Sequence, residues 1–247
     1  MSYTVFAEFY DAFMKNADYK KRTDYAIKLF EKYDKKPTLL LDMACGTGEF
    51  TLQFIERGID AIGVDMSEEM LMCAREKLLE KCVNPLLLCQ KAEDLDLYGT
   101  VDGAISCLDS LNHITDYDEF CATLKKISLF LEKDRLFIFD LNTPYKHKQV
   151  LANSSFHIKR KGVDCLWTNC AIDDFTVEIT LNFSYKTGLF NRETISESFL
   201  ERAYTEQEIE NALKEAGFKL ETVFGENTVL PPKHNSQRNI YVARKVI

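Results

Sequence analysis

Three residues with a fixed spacing open the chemical reading of this chain. A short apolar run, Leu39-Leu40-Leu41, ends in Asp42 and passes through Cys45-Gly46-Thr47-Gly48 into a helical stretch from Glu49 to Arg57. Asp65 then follows Gly46 by 19 residues, at the end of the next apolar run, Ile59 to Val64. Glycines just past a strand admit a ligand to backbone that a side chain would shield. An acid about 20 residues further on is placed to accept hydrogen bonds from both ribose hydroxyls. The expected chemistry is recognition of a nucleoside. A dinucleotide would call for a third glycine at position 51, and the chain has Thr51 there, which disfavours nicotinamide and flavin dinucleotides.

A second set follows the fourth apolar run, Val101 to Cys107. In an open α/β sheet reacting groups gather beyond the carboxyl ends of the strands, so Asp109 and His113, in the loop after that run, are the candidates for a general base. Aromatic residues on segments expected to close over the same edge complete the set. Tyr10 and Tyr19 are assigned to the cofactor side, and Tyr3, Trp167 and Tyr204 to the acceptor side. Arg202 and Arg238 would either meet an anionic acceptor or pair with the chain's excess acid; the second use is favoured, and Arg202 is retained among the acceptor candidates. Four scattered histidines show no H-x-x-x-H spacing and no hydrolytic triad is evident, so no metal is expected.

The elements that must position these residues alternate. Apolar runs at Ile59–Val64, Leu86–Cys89 and Val101–Cys107 repeat the pattern of run then helical periodicity, and Leu136–Phe139 supplies a fifth strand ending at Asp140. Ser67 is a predicted cap with Glu68 and Glu69 in its first turn, and a helix is predicted from about Tyr117 to Leu131. Strands alternating with helices imply an α/β fold with a Rossmann-like, doubly wound, seven-stranded and mostly parallel sheet. After Pro144 the period becomes two: Val177, Ile179, Leu181, Phe183 and Tyr185 alternate with polar residues, with Gly188 as a turn, Leu189 to Arg202 as a partner strand and Cys165 to Cys170 as a third. This is read as an inserted antiparallel β lid. Thr205 to Glu208 forms a predicted capping box, Gly217 ends that helix, and strands at Lys219–Phe224 and Arg238–Val246 finish the sheet. The division expected is a helical cap over 1–35, a cofactor-binding core over 36–144, the lid over 145–203, and a C-terminal helix and strands over 204–247. In the cap, Tyr3, Phe6, Phe9, Tyr10 and Phe13 recur at helical spacing.

With 247 residues, 46% hydrophobic, the chain can bury a sizeable core, and its net charge of −8 would repel a phosphate backbone. The short run Lys159-Arg160-Lys161 is read as solvated loop charge, so nucleic acid is not the expected partner and a small-molecule acceptor is favoured. Eight cysteines without a C-x-x-C pair, and no secretory segment at the N-terminus, point to reduced thiols in the cytoplasm. No apolar run is long enough to cross a bilayer. A monomer or homodimer is expected.

Leu41-Asp42-Met43-Ala44-Cys45-Gly46-Thr47-Gly48 resembles the first motif of class I S-adenosylmethionine-dependent methyltransferases, and Val64-Asp65-Met66-Ser67-Glu68-Glu69-Met70-Leu71 resembles their second. Further stretches, Cys107-Leu108-Asp109-Ser110-Leu111-Asn112-His113 and Phe139-Asp140-Leu141-Asn142-Thr143-Pro144-Tyr145, are similar to a bacterial subgroup with an inserted antiparallel lid; deoxysugar N,N-dimethyltransferases look like more distant relatives. The resemblance implies S-adenosylmethionine as cofactor, with S-adenosylhomocysteine as product. It implies that Asp42 and the Cys107 carbonyl meet the methionine amino group, that Cys45, Gly46 and Gly48 make room for the cofactor, and that Asp65 and Met66 meet its ribose end. One departure stands out. Members of the family usually carry an Asp where this chain has Lys91, which moves adenine recognition to Ala92 and Glu93. Two other readings stay open: a nicotinamide-dependent oxidoreductase, against which Thr51 weighs, and a nucleoside-binding module without catalysis. Among methyltransferase acceptors, tRNA or protein is the second reading.

Overall fold

The computed structural model describes residues 4–160, 162–186, 191–226 and 228–247. Two helices come first, α1 (Thr4–Phe13) and α2 (Tyr19–Tyr33), followed by β1 (Leu39–Met43), α3 (Glu49–Ile55), β2 (Asp60–Asp65), α4 (Glu68–Glu80), β3 (Leu86–Cys89), β4 (Gly103–Ser106), α5 (Tyr117–Phe130) and β5 (Leu136–Asn142). Four consecutive strands come next: β6 (Ser155–Arg160), β7 (Val163–Ala171), β8 (Thr176–Lys186) and β9 (Arg192–Arg202). The chain closes with α6 (Glu206–Glu215), β10 (Phe218–Gly225) and β11 (Arg238–Lys245).

Seven strands form one sheet in the order β10-β11-β5-β4-β1-β2-β3, in which only β11 runs against its neighbours. Strands covered on both faces read as continuous apolar runs, and β5 is buried along all seven residues. One face packs on α5 and α6 through Phe120, Leu124, Ile127, Ile209 and Leu213. The other packs on α2 and α3 through Leu29, Phe30, Phe50 and Phe54. The sheet is therefore doubly wound, and its strand order reverses between β1 and β4, which opens a crevice above their carboxyl ends. The remaining strands, β6 to β9, make a separate antiparallel sheet whose inner face buries Val177, Ile179, Leu181 and Phe183.

Local signals explain the helix starts. Ser67 caps α4 by accepting the Met70 N–H, and Thr205 and Glu208 close a reciprocal capping box on α6. The N-terminal cap is made of two helices: Asp18 adopts φ 50° and separates α1 from α2, so the apolar Phe9 and Phe13 turn to the lid cluster while α2 covers the main sheet. Two expectations need correction. The lid has a fourth strand, β6, which includes Lys159 and Arg160, so these charges lie on an edge strand and not in a loop. Short-range alternation is weak there, since five of the six β6 side chains are polar or exposed, and only pairing with β7 fixes them. Lys161, Gly188 and Leu189 lie outside the described residues, and so does Tyr3; β9 begins at Arg192.

Candidate active site

A cavity of about 460 Å³ lies between the carboxyl edge of the main sheet and the inner face of the lid. At one end it is walled by backbone. Gly46 takes φ 54° in the turn after β1 and donates its N–H to Asp65 Oδ2 at 2.8 Å; Ser67 donates its N–H to Oδ1 at 2.9 Å. Each carboxylate oxygen therefore keeps a lone pair for a further donor, which suits a diol. Burial pushes the Asp65 carboxyl up, and the Ser67 and Gly46 N–H groups oppose that shift. A Cβ on Gly46 would meet nothing within 4 Å, so the turn faces open space. Met66, Ala92 and Glu93 continue this wall, and Tyr10 and Phe13 of α1 cover it.

At the other end the wall is made of charged side chains from distant elements. Asp109 follows β4 and lies in a left-handed turn with Leu108, at φ 56° and 59°. That turn is held by Asp140, whose carboxylate accepts the Leu108 and Asp109 N–H groups at 2.9 and 2.7 Å. The Asp109 side chain accepts from Arg238 Nη2 and Asn142 Nδ2, both at 2.5 Å, with Lys146 Nζ at 3.6 Å. Burial alone would raise its pKa, but Arg238, Lys146 and His113 outweigh burial and hold the carboxyl at about 2. Beside it Glu201, from β9, is buried, and burial followed by the Asp109 charge pushes its pKa up. Asn112 staples these parts together: its amide donates to the Asn142 and Arg202 carbonyls at 3.3 and 2.8 Å and accepts the Asn142 N–H at 2.9 Å.

Among the expected site residues, Gly46, Asp65, Met66, Ala92, Glu93, Tyr10, Asp109, His113 and Trp167 line the cavity. The Trp167 indole donates to Asn169 Oδ1 at 2.6 Å and meets Phe156 edge-on, which fixes the ring. Asp109 reaches the cavity but, held at about 2, is a poor proton acceptor near neutral pH.

Other expected residues stand behind the wall. Asp42 is buried against Thr51 Oγ1, which donates to it at 2.6 Å, and burial raises its pKa to about 7; the residue that breaks the dinucleotide pattern is thus the partner of the buried acid. Gly48 makes room for α4, since a Cβ there would come within 3.0 Å of Ala74 Cβ. Cys45 is buried beneath the turn, and burial lifts its thiol pKa well above the ordinary value. The Cys107 carbonyl accepts the Ser110 hydroxyl at 2.8 Å. Lys91 turns outward to Glu93, 3.3 Å away, and Tyr19 packs edge-on against Phe50. On the acceptor side, Arg202 is engaged by Glu208 Oε1 at 2.6 Å, and Tyr204 is buried against Phe120 with its hydroxyl bonded to the Ile114 carbonyl. Both lock β9 to the main sheet instead of facing the cavity.

Arg238 takes the use favoured for it, pairing with Asp109 and Asp140, whereas Glu201, Asn142 and Lys146 were not among the expected site residues. Their sequence signal was slight: Glu201 shares the inward face of β9 with Ile195 and Phe199, an acid in an apolar register. Among the described residues, no group of three or more His, Cys, Asp or Glu side chains could hold a metal ion, and no helix is long and apolar enough to cross a membrane.

Known proteins are similar to this chain in sequence and fold. A family model described as a methyltransferase domain matches residues 40–134. The protein YqeM of Bacillus subtilis, named as a methyltransferase, is 30% identical over 99% of this chain and 98% of its own length. The crystal structure of an S-adenosylmethionine-dependent methyltransferase from Clostridium acetobutylicum superposes with a TM-score of 0.88 at 30% identity, covering 99% of each chain. The sugar N-methyltransferase KedS8 from a Streptoalloteichus species superposes with a TM-score of 0.80 at 19% identity, over 96% of this chain and 93% of its own, a likeness of fold.

Proposed function

Because this chain belongs to the S-adenosylmethionine-dependent methyltransferases, we propose that it methylates a small amine held between the lid and the loops at the carboxyl edge of the sheet. The observation that carries this reading is the single cavity joining Gly46 and Asp65 at one end to His113 and Trp167 at the other. Bound, the cofactor supplies a methyl group already activated on a sulfonium. The protein's task is then to align the acceptor and exclude water, which in well-oriented cases is worth about 7–11 kcal/mol.

In this reading Asp65 accepts the two ribose hydroxyls, the open backbone of the Gly46 turn admits the cofactor, and Ala92 and Glu93 face the adenine. Tyr10 covers the nucleoside and Trp167 walls the acceptor. Asp109, tied to Arg238 and Asn142, braces the loop that carries His113, and His113 takes the acceptor's proton. An amine is favoured over a hydroxyl on energetic grounds: an alkylammonium near pKa 10.4 gives up its proton to an imidazole far more readily than an oxygen acid near 15.7 does. The fold shared with a sugar N-methyltransferase supports the same class. The net charge of −8 speaks against a nucleic-acid acceptor, and eight free thiols fit a reducing, cytoplasmic setting.

The test is calorimetry with S-adenosylmethionine, S-adenosylhomocysteine and NAD on the wild type and on Asp65→Ala. Loss of two charge-assisted hydrogen bonds at about 1.5–3 kcal/mol each should weaken both sulfur nucleosides by a hundredfold or more. Binding of NAD alone, or no effect of Asp65→Ala, would overturn the reading. With cofactor binding in hand, labelled methyl transfer to a panel of small primary amines and matched alcohols tests the acceptor class.

A further inference from the structure

Glu201 has an unusual position for a carboxylate. It is buried, it comes from the lid, and it lines the cavity. A buried carboxylate needs partners, and the neighbouring cations are committed elsewhere: Arg238 and Lys146 to Asp109, and Lys146 also to Asn142 Oδ1 at 2.8 Å. Asn142 Nδ2 donates to Glu201 Oε2 at 3.2 Å, which anchors that oxygen.

Two imidazoles flank the carboxyl group. His147 Nε2 is 3.7 Å from Oε2, and His113 Nε2 is 3.8 Å from Oε1. The two rings are not equivalent. His147 is fully buried, and its Nδ1 lies 2.8 Å from the Phe175 carbonyl, which can only accept, so Nδ1 carries the hydrogen and Nε2 presents a lone pair. Burial holds this ring neutral, with its pKa lowered to about 4. His113, by contrast, lines the cavity and is 43% exposed. Its ring lies on Phe199, centroid to centroid 4.9 Å, and Phe199 sits two residues before Glu201 on the same face of β9. One lid strand thus supplies both the platform for the His113 ring and the carboxylate at its Nε2.

We propose that Glu201 is a positioning residue for proton removal: it holds His113 with its hydrogen on Nε2, leaving Nδ1 to accept the proton of the methyl acceptor. The inference rests on the methyl-transfer reading. In the step, the acceptor's nitrogen forms a bond to the methyl carbon, the carbon–sulfur bond breaks with its electron pair passing to sulfur, and the nitrogen's hydrogen leaves as a proton to Nδ1. The imidazolium so formed is balanced by Glu201. The groups facing Glu201 are Asp109 and His113 from the loop after β4, Asn142, Lys146 and His147 from the end of β5 and the turn that follows, and Arg238 from β11. The base is complete only when the lid strand is seated.

The test is the tautomer of His113, read from side-chain ¹⁵N shifts of the histidine-labelled protein with S-adenosylhomocysteine at alkaline pH. The wild type should show hydrogen on Nε2. In Glu201→Gln the amide oxygen goes to Asn142 Nδ2 and the amide NH₂ faces His113, so the hydrogen should move to Nδ1; Glu201→Asp should retain the wild-type tautomer. Hydrogen on Nδ1 in the wild type, or an unchanged tautomer in Glu201→Gln, overturns the assignment, and the first needs no variant. Calorimetry on the same samples separates the two readings. If the wild type binds neither sulfur nucleoside, the methyltransfer reading itself fails; if both proteins bind S-adenosylhomocysteine and the tautomer does not respond, only the role of Glu201 falls.

Discussion

At the nucleoside end of the cavity Asp65 is engaged by backbone N–H groups two and 19 positions away, whereas at the acceptor end Asp109 is engaged by side chains 33 and 129 positions away. The first end is assembled by a turn between one strand and its helix and is completed by the neighbouring strand. The second needs β4, β5, β9 and β11 in register before all of its groups find their partners. The nucleoside end can therefore be altered at the cost of binding, while the acceptor end carries part of the stability of the fold.

Arg238 is the place to break that contrast. Its guanidinium lies against Asp109 at 2.5 Å and Asp140 at 3.5 Å, and the side chain is 10% exposed. Arg238→Met leaves the buried Asp140 without its cation and Asp109 with only Lys146, and removing one partner of a buried ionic cluster typically costs about 3–5 kcal/mol. Urea unfolding should show a loss of this size, with Asp65→Ala losing far less. If Arg238→Met costs under about 1 kcal/mol, the charged wall is not structural.

The two glycines of the first turn sharpen the contrast on a smaller scale. Both have positive φ, 54° at Gly46 and 72° at Gly48, so alanine at either costs about 1–2 kcal/mol of backbone strain. At Gly48 the new Cβ also presses on Ala74 Cβ at 3.0 Å, adding about 1–3 kcal/mol of overpacking, while at Gly46 it meets nothing. Gly48→Ala should lower the urea midpoint more than Gly46→Ala does, and Gly46→Ala should weaken S-adenosylhomocysteine by tenfold or more. The opposite ranking would return Gly48 to the cofactor.

These residues also show what a sequence can disclose. The strand-turn-helix around Gly46, the Asp65 spacing, the Ser67 cap and the capping box at Thr205 are local, so residue type and interval determine them. The same logic does not show what else Gly48 and Asp42 touch: a glycine that admits a ligand and one that admits a neighbouring helix look alike until α4 is packed, and Thr51 reads as a missing glycine until its hydroxyl is seen on Asp42. Tyr204 and Arg202 were drawn to the cavity by type, yet their partners, Ile114, Phe120 and Glu208, come from the main-sheet side. Glu201 was hidden for a different reason. Its burial depends on the β8–β9 register, and a shift of one residue would put it on the lid's outer face.

The smallest effect concerns how the nucleoside end is covered. On α1, Asp11 Oδ1 accepts the Thr47 hydroxyl at 2.6 Å, and Oδ2 lies 2.5 Å from Lys77 Nζ, which also reaches Glu49 at 3.1 Å. This small network ties the helix carrying Tyr10 and Phe13 to the turn between Gly46 and Gly48. The Asp11 side chain is 42% exposed, so solvent screens the pair and Asp11→Ala should cost under about 1 kcal/mol in stability. A cover need not be strongly held to matter kinetically, because ligand escape depends on how often it opens. Stopped-flow displacement should therefore show S-adenosylhomocysteine leaving Asp11→Ala severalfold faster, with unfolding nearly unchanged. An unaltered dissociation rate would mean that α1 lines the cavity without gating it, and that the nucleoside end is closed by the lid alone.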